Sequence, residues 1–254
     1  MNKLSNLKAV ILAGGKGTRL YPITREIPKP LLPVKRKPII NYLIELFYSC
    51  GVKDIAILIN KDFREDFNWW KKRYYPKNKI KIFEEEKPLG TFGGLWLLKD
   101  WLSEKPSRGE SAEPFFLTNG DELKEINLAE MVNFHQKFKT IATVTLTKVP
   151  NPKDYGVAIY EDGLILKFLE KPSPPTKLLV GGKKSTKYIN AGLYLLSPEI
   201  FNYHPGPKFS MVEKDILPKL AKEKKLAGFK FNGKWMDCGT WHRYEEALKK
   251  WDRR

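Results

Sequence analysis

The chain has 254 residues, a net charge of +17 and 42% apolar residues. That is long enough for one large α/β domain with a substantial core, and no apolar run approaches the roughly 20 residues needed to span a bilayer. The short apolar stretch near the start makes no signal peptide, and Cys50 and Cys238 lack disulfide or metal spacing, so a reducing cytoplasm is expected. Lysines are spread along the whole chain and no nucleic-acid motif is found. An anionic small substrate or a solvated lysine-rich surface, rather than nucleic acid or a membrane, accounts for the charge.

In chain order, residues 7–12 form an apolar run that predicts a buried strand ending at glycines. Residues 39–50 have helical periodicity and stop at Gly51, 54–60 (DIAILIN) predict a second buried strand, and 61–75 a helix stopped by Pro76. Residues 79–84 predict a strand, 91–102 a helix, 104–113 a polar connection and 115–118 a short strand before Asn119-Gly120-Asp121. This βαβα order implies a mainly parallel sheet covered by helices, with ligands at the carboxyl ends of its strands. The second half is more mixed. Residues 140–149 alternate as a strand, 156–160 and 164–170 form a hairpin around Asp162-Gly163, and 188–196 and 226–231 predict further strands. Residues 210–223 and 240–251 predict helices, and 171–187 a mobile surface loop.

The most informative stretch is residues 13–34, AGGKGTRLYPITREIPKPLLPV. Gly14, Gly15 and Gly17 free the backbone to turn and present amide N–H groups, and Arg19 and Lys29 follow where they could reach phosphate. It is not a P-loop, because Gly17 is followed by Thr18 and Arg19, nor a dinucleotide loop, because Pro22, Pro28, Pro30 and Pro33 oppose an immediate helix. The four prolines predict a rigid extended segment holding Lys29. GGKG alone could equally be an ordinary turn.

Other positions carry chemistry only in context. Asp121 and Asp237 each follow an apolar strand, where a carboxylate can hold Mg²⁺ or merely cap a turn or helix. Glu170-Lys171 before Pro172 would by default be a surface ion pair. His135 reads as structural, and Trp69, Trp70, Trp96 and Trp101 as core or subunit contact. Lys183-Lys184-Ser185-Thr186 lacks the strand and glycine of a P-loop and is set aside.

Residues 14–33 match at every specified position GGxGTRLxPxTxxxPKPLLP, so the chain resembles the sugar-nucleotide pyrophosphorylases, nucleotidyltransferases acting on sugar 1-phosphates. Further matches are PLGT at 88–91, NGD at 119–121, EKP at 170–172, NAG at 190–192 and WxDxGT at 235–240. The resemblance implies a nucleotide-diphospho-sugar transferase fold, Rossmann-like, mixed but mainly parallel, as one domain over 1–254. Its nucleotide part would run to about 125 and its sugar part from about 126, with no hexapeptide-repeat domain. It implies that Leu12, Ala13, Gly14, Gly15, Gly17, Thr18 and Arg19, with Leu89, Gly90 and Thr91, bind a nucleoside triphosphate. Gly156, Glu170, Lys171, Asn190 and Gly192 would bind the sugar 1-phosphate. Asp121 and Asp237 would hold Mg²⁺, and Arg19 and Lys29 would act with them in catalysis.

The implied reaction moves a nucleoside monophosphate onto a sugar 1-phosphate and releases pyrophosphate. EEEKPLGT, NAG and Val212-Glu213-Lys214-Asp215 look most like the mannose-1-phosphate guanylyltransferases, with heptose-1-phosphate guanylyl and glucose-1-phosphate thymidylyl or uridylyl transfer as alternatives. Phe92 stands where those proteins commonly carry a small residue after PLGT. From another class, a non-catalytic sugar-nucleotide-binding subunit would be expected to lose Arg19, Lys29 or an aspartate, and none is lost. A homo-oligomer is compatible with the pattern.

Overall fold

The computed structural model describes residues 4–105, 111–172, 179–180, 183–184 and 188–252. The chain sorts into two compact units that are discontinuous in sequence: Met1–Pro88, Leu117–Ile126 and Gly233–Arg254 form the first, Leu89–Phe116 and Asn127–Asn232 the second.

The first unit is built on parallel strands. Lys8–Leu12 pairs in parallel with Asp54–Asn60, and Asp54–Asn60 with Lys81–Glu85. Six of the seven residues of DIAILIN are buried, as expected where helices and loops cover both faces of a parallel sheet. The helix Ile39–Ser49 turns Ile39, Ile40, Leu43, Ile44 and Phe47 inward and ends at Gly51, whose φ of 91° suits glycine. One hydrophobic core cluster joins the 13–34 stretch to the C-terminal helix. Leu20, Leu32, Val34 and Ile39 pack there with Leu123, Cys238, Tyr244, Ala247 and Trp251. Burial of each large side chain in this cluster is worth about 1.5–3 kcal/mol, enough to fix the loops it anchors. The C-terminal helix Trp241–Lys250 joins it, capped by the Thr240 side chain and tied down by a Tyr244 hydroxyl that donates to Pro33 O at 2.7 Å.

Residues 18–31 depart from the extended segment expected from their prolines. They form three 3₁₀ turns, Thr18–Leu20, Ile23–Arg25 and Lys29–Leu31. Proline's fixed φ suits the start of a short helical turn as well as an extended chain, and Leu20 and Leu32 are fully buried in the coiled chain. The rigidity that holds Lys29 therefore comes from turns seated on a core.

The second unit is largely antiparallel. Its strands run in the order Tyr188–Leu196, Ala142–Lys148, Leu226–Lys230, Leu164–Glu170, Gly156–Glu161, with one parallel pair, Leu226–Lys230 with Ala142–Lys148. The Gly156–Glu161 and Leu164–Glu170 hairpin turns at Asp162 and Gly163, both at positive φ, and pairs Gly156 with Glu170. Residues expected to be one helix from 210 to 223 divide into a π-helical turn, Val212–Ile216, and an α-helix, Leu217–Lys222. The helix Leu128–Phe138 presents His135 to Thr143 Oγ1 at 2.8 Å and Ser197 Oγ at 3.3 Å, the structural role expected of it. Trp70 and Trp101 are buried, whereas Trp69 is 65% exposed. Among the described residues no helix is long and apolar enough to cross a membrane. Most of the loop expected over residues 171–187, including Ser185 and Thr186, lies outside the described residues.

Candidate active site

The first unit gathers the glycine loop, both cations and both aspartates. Ala13 N donates to Leu58 O at 2.8 Å and Gly120 N to Leu12 O at 2.9 Å, so the loop leaves the sheet under restraint from two neighbouring strands. A Cβ on Gly14 would lie 2.8 Å from Glu85 Oε2 and 3.2 Å from Asn60 N, whereas one on Gly15 would meet nothing within 4 Å. Gly14 is thus a packing requirement. Gly15 is open to whatever approaches the loop. Gly17, at φ 65°, precedes the Thr18–Leu20 turn, and its carbonyl accepts from Thr24 Oγ1 at 2.9 Å.

Lys29 begins the third 3₁₀ turn and forms an ion pair with Asp121. Asp121 follows the strand Phe115–Asn119, and its carbonyl accepts from Cys238 N at 3.0 Å. The strand Trp235–Asp237 pairs antiparallel with Glu122–Lys124, matching Asp237 to Glu122. That register brings Asp237 beside Asp121 although the two are far apart in sequence. Asp237 Oδ1 accepts from Gly239 N at 2.9 Å and Arg243 Nη1 at 3.4 Å. A Cβ on Gly239 would lie 2.8 Å from Asp237 Oδ1 and 3.3 Å from Arg19 Nη2, so the Arg19 guanidinium stands at the same turn. Burial would raise the Asp121 carboxyl, but the Lys29 ammonium, a backbone N–H and Lys124 hold it below the usual carboxylate range.

Beneath this cluster lies a buried network that periodicity does not reveal. Lys124 Nζ donates to Thr118 Oγ1 and Glu122 Oε2, both at 3.0 Å. Glu122 also accepts from Asn119 Nδ2 at 2.8 Å and Trp235 Nε1 at 3.0 Å. Glu122 and Lys124 are 6% and 5% exposed, and burial pushes the Glu122 carboxyl up despite Lys124. Charged residues alternating around Leu123 immediately after Asp121 were the available signal in the sequence. Burial also pushes up the thiol of Cys238, which lies between Asp237 and Gly239.

The second unit carries the remaining expected residues. Gly90, at φ 78°, opens a short helix, Gly90–Gly93, pressed against residues 208–211. Ser210 N donates to Leu89 O at 2.9 Å, and Ser210 O accepts from Phe92 N at 2.9 Å and Gly93 N at 3.2 Å. Side chains on Gly90 or Gly93 would collide with the carbonyls of Ser210 and Lys208. Phe92 is fully buried against Phe201 and His204, so its bulk fills core. Thr91 Oγ1 accepts from Val212 N at 2.8 Å and donates to Glu213 Oε2 at 2.7 Å.

A Cβ on Gly156 would lie 2.9 Å from Glu170 Oε2, which places that carboxylate directly over the glycine. Lys171 Nζ is 3.5 Å from Glu170 Oε1 and its side chain is exposed. Burial, then the neighbouring Glu213, pushes the Glu170 carboxyl above its usual range, with Lys171 opposing. Asn190 and Gly192 lie where the pairing of Tyr188–Leu196 with Ala142–Lys148 shifts register, and Gly192 has φ 61°. Gly192 N donates to Asn190 Oδ1 at 2.9 Å, and Asn190 Nδ2 to Tyr194 OH at 2.7 Å.

The two aspartates fit a divalent cation. Mg²⁺ takes one or two carboxylates and completes its shell with water and substrate phosphates. The Lys29 ammonium already occupies a cation's place at Asp121, which immediately precedes the strand that pairs with Trp235–Asp237.

Comparison with known proteins matches the nucleotidyl transferase family over residues 8–254. Mannose-1-phosphate guanylyltransferase 1 of Arabidopsis thaliana is 39% identical over 247 residues, 96% of this chain and 64% of the relative. The mannose-1-phosphate guanylyltransferase catalytic subunit beta of Dictyostelium discoideum is 37% identical over 238 residues, 92% of this chain and 61% of the relative. The chain thus spans less than two thirds of these curated relatives. HddC from Yersinia pseudotuberculosis, solved with GMP-PN, superimposes with a TM-score of 0.75 at 26% identity, covering 97% of this chain and 100% of that one. UDP-glucose pyrophosphorylase complexed with UDP-glucose gives 0.75 at 25% identity, covering 96% and 97%.

Proposed function

The chain belongs to the nucleotidyl transferase family, and from that premise we propose that it transfers a guanylyl group from GTP to mannose 1-phosphate, giving GDP-mannose and pyrophosphate. The observation that carries the reading is the convergence of Asp121, Asp237, Lys29 and Arg19 beside the glycine loop of one unit. The guanine and mannose assignments are supported by the names of the two curated relatives, at 37–39% identity. They rank ahead of heptose phosphate and of thymidylyl or uridylyl transfer for the same reason.

A phosphate oxygen of the sugar 1-phosphate attacks the α-phosphorus of GTP in line, the bond to the β-phosphate oxygen breaks, and pyrophosphate leaves. The attacking oxygen is already anionic, so no general base is needed, and catalysis rests on positioning and charge. Leu12, Ala13, Gly14, Gly15, Gly17 and Thr18 cradle the triphosphate, with Gly15 giving the closest approach. Arg19 holds the departing pyrophosphate. Lys29 exchanges Asp121 for the α-phosphate. Asp121 and Asp237 would hold Mg²⁺, which neutralises phosphate charge when bound. Leu89, Gly90 and Thr91 serve the guanine side through backbone groups. Glu170 accepts from sugar hydroxyls while Lys171, Gly156, Asn190 and Gly192 hold the sugar phosphate. The supply of triphosphate and Mg²⁺ makes the cytoplasm the matching location.

Pyrophosphate release with a panel of triphosphates and sugar 1-phosphates tests this directly. GTP with mannose 1-phosphate should be the best pair. Asp121→Asn and Asp237→Asn should each lower kcat by about 10²-fold or more while leaving the circular dichroism spectrum unchanged. Full activity of either variant with Mg²⁺ would sink the mechanism. No turnover with any pair would favour a non-catalytic binding subunit.

A further inference from the structure

In the second unit, one carboxylate joins two segments that the proposed reaction uses for different substrates. Glu213 sits on the π-helical turn Val212–Ile216 and is 8% exposed. Its Oε2 accepts from Thr91 Oγ1 at 2.7 Å and its Oε1 from the Tyr194 hydroxyl at 2.9 Å. Thr91 belongs to the 89–94 turn. Tyr194 accepts from Asn190 Nδ2 at 2.7 Å, and Asn190 Oδ1 accepts from Gly192 N at 2.9 Å. A continuous path of hydrogen bonds therefore runs from residue 91 to residue 192.

We propose that Glu213 is a positioning residue coupling the 89–94 turn to the 190–192 bulge, so that nucleotide and sugar phosphate bind interdependently. This rests on the assignment of those two segments to the two substrates.

The donor and acceptor roles along the path agree with one another. The Thr91 hydroxyl accepts from Val212 N, so its one proton goes to Glu213. The Tyr194 hydroxyl accepts from Asn190, so its proton also goes to Glu213. The Gly192 N–H fixes the Asn190 amide with its oxygen toward the glycine and its nitrogen toward Tyr194. Only an acceptor at both side-chain oxygens of residue 213 satisfies this pattern. A movement of the turn as it closes on a nucleotide shifts Thr91, and the shift reaches Gly192 through groups that are buried or half-buried. π-helical turns inside helices recur at functional positions, and here the turn aims Glu213 at both segments. The Glu213 charge is also felt at Glu170, whose carboxyl is pushed up first by burial and then by Glu213.

Glu213→Gln keeps the size of the side chain but puts a donor opposite one of two hydroxyls that have only a proton to offer. The test is calorimetric titration with Mg²⁺ and a GTP analogue whose α,β bridge is methylene, with and without saturating mannose 1-phosphate. In the wild type the sugar phosphate should tighten the analogue about fivefold or more, within the ordinary span of coupling between sites. In Glu213→Gln the ratio should fall to near one, with each ligand's separate Kd changed less than about threefold. Tyr194→Phe, which removes the shared hydroxyl, should do the same and serves if Glu213→Gln folds poorly. A merely structural role would weaken both ligands together and leave the ratio intact, which overturns the proposal, as does a wild type with no coupling. Turnover with another nucleotide and sugar phosphate would refute the substrate assignment alone, since the ratio is then read with that pair.

Discussion

Replacing Lys124 with methionine tests whether the charge buried under the two aspartates is held by its partner or by the fold around it. Methionine keeps most of the stem but removes an ammonium that gives hydrogen bonds to Thr118 and Glu122 at 3.0 Å. Glu122, 6% exposed, would keep Asn119 and Trp235 as donors and lose its cation. Removing one member of a buried pair costs about 3–5 kcal/mol, a large share of the roughly 5–15 kcal/mol of a folded domain. The loss should also depend on pH in a definite direction. Burial raises the folded Glu122 carboxyl, Lys124 opposes that, and the variant raises it further. Such a group gives its full stability below its unfolded value and loses it as pH rises through the folded one. The deficit should therefore be largest at and above neutral pH and shrink as the solution is acidified toward the ordinary glutamate range. Urea unfolding at pH 5 and 8, followed through tryptophan fluorescence with Trp235 in the network, measures both quantities. Glu122→Gln combined with Lys124→Met should recover most of the loss. A deficit below about 1 kcal/mol at pH 8, or one that grows on acidification, would refute the reasoning.

The two loop glycines should separate packing from ligand approach. Gly14→Ala meets Glu85 and Asn60 and should cost about 1–3 kcal/mol of stability, whereas Gly15→Ala enters open space and should stay within about 0.5 kcal/mol while weakening GTP binding at least tenfold. Equal effects of the two on thermal stability would contradict this. Burial pushes the His135 imidazole down to about 4. A lowered folded value gives stability that is complete above the unfolded value near 6.5 and lost as pH falls through the folded one. That span corresponds to about 3 kcal/mol, and His135→Gln should flatten the urea-stability profile between those pH values by that order. A profile as steep as the wild type's would show that other groups control it.

Locally encoded features were legible from sequence. The strand Ala142–Lys148 falls within the alternation of residues 140–149, and Asp162-Gly163 announces the hairpin through residues that tolerate positive φ. The 3₁₀ turns of residues 18–31 were not, because proline permits both an extended chain and a tight turn and the choice is made by Leu20 and Leu32 entering the core. Thr91 and Glu213 meet across 122 residues, a pairing to which no periodicity responds. The same holds for Glu122 and Trp235, whose contact depends on strand register. Glu213 had a faint local signal, an acid between Val212 and the apolar Ile216-Leu217, and only the folded chain gives that acid its partners.

The return of Gly233–Arg254 to the first unit sets an order of events during synthesis. The glycine loop, Lys29 and Asp121 leave the ribosome well before Trp235–Asp237 exists to pair with Glu122–Lys124. A nascent chain can gather the early part of its core, as N-terminal segments generally do, yet it cannot present both carboxylates until Trp235–Asp237 has been translated. Possession of the paired aspartates thus reports that translation has passed residue 237, and a polypeptide released before that point would lack the pair however well its first strands had formed.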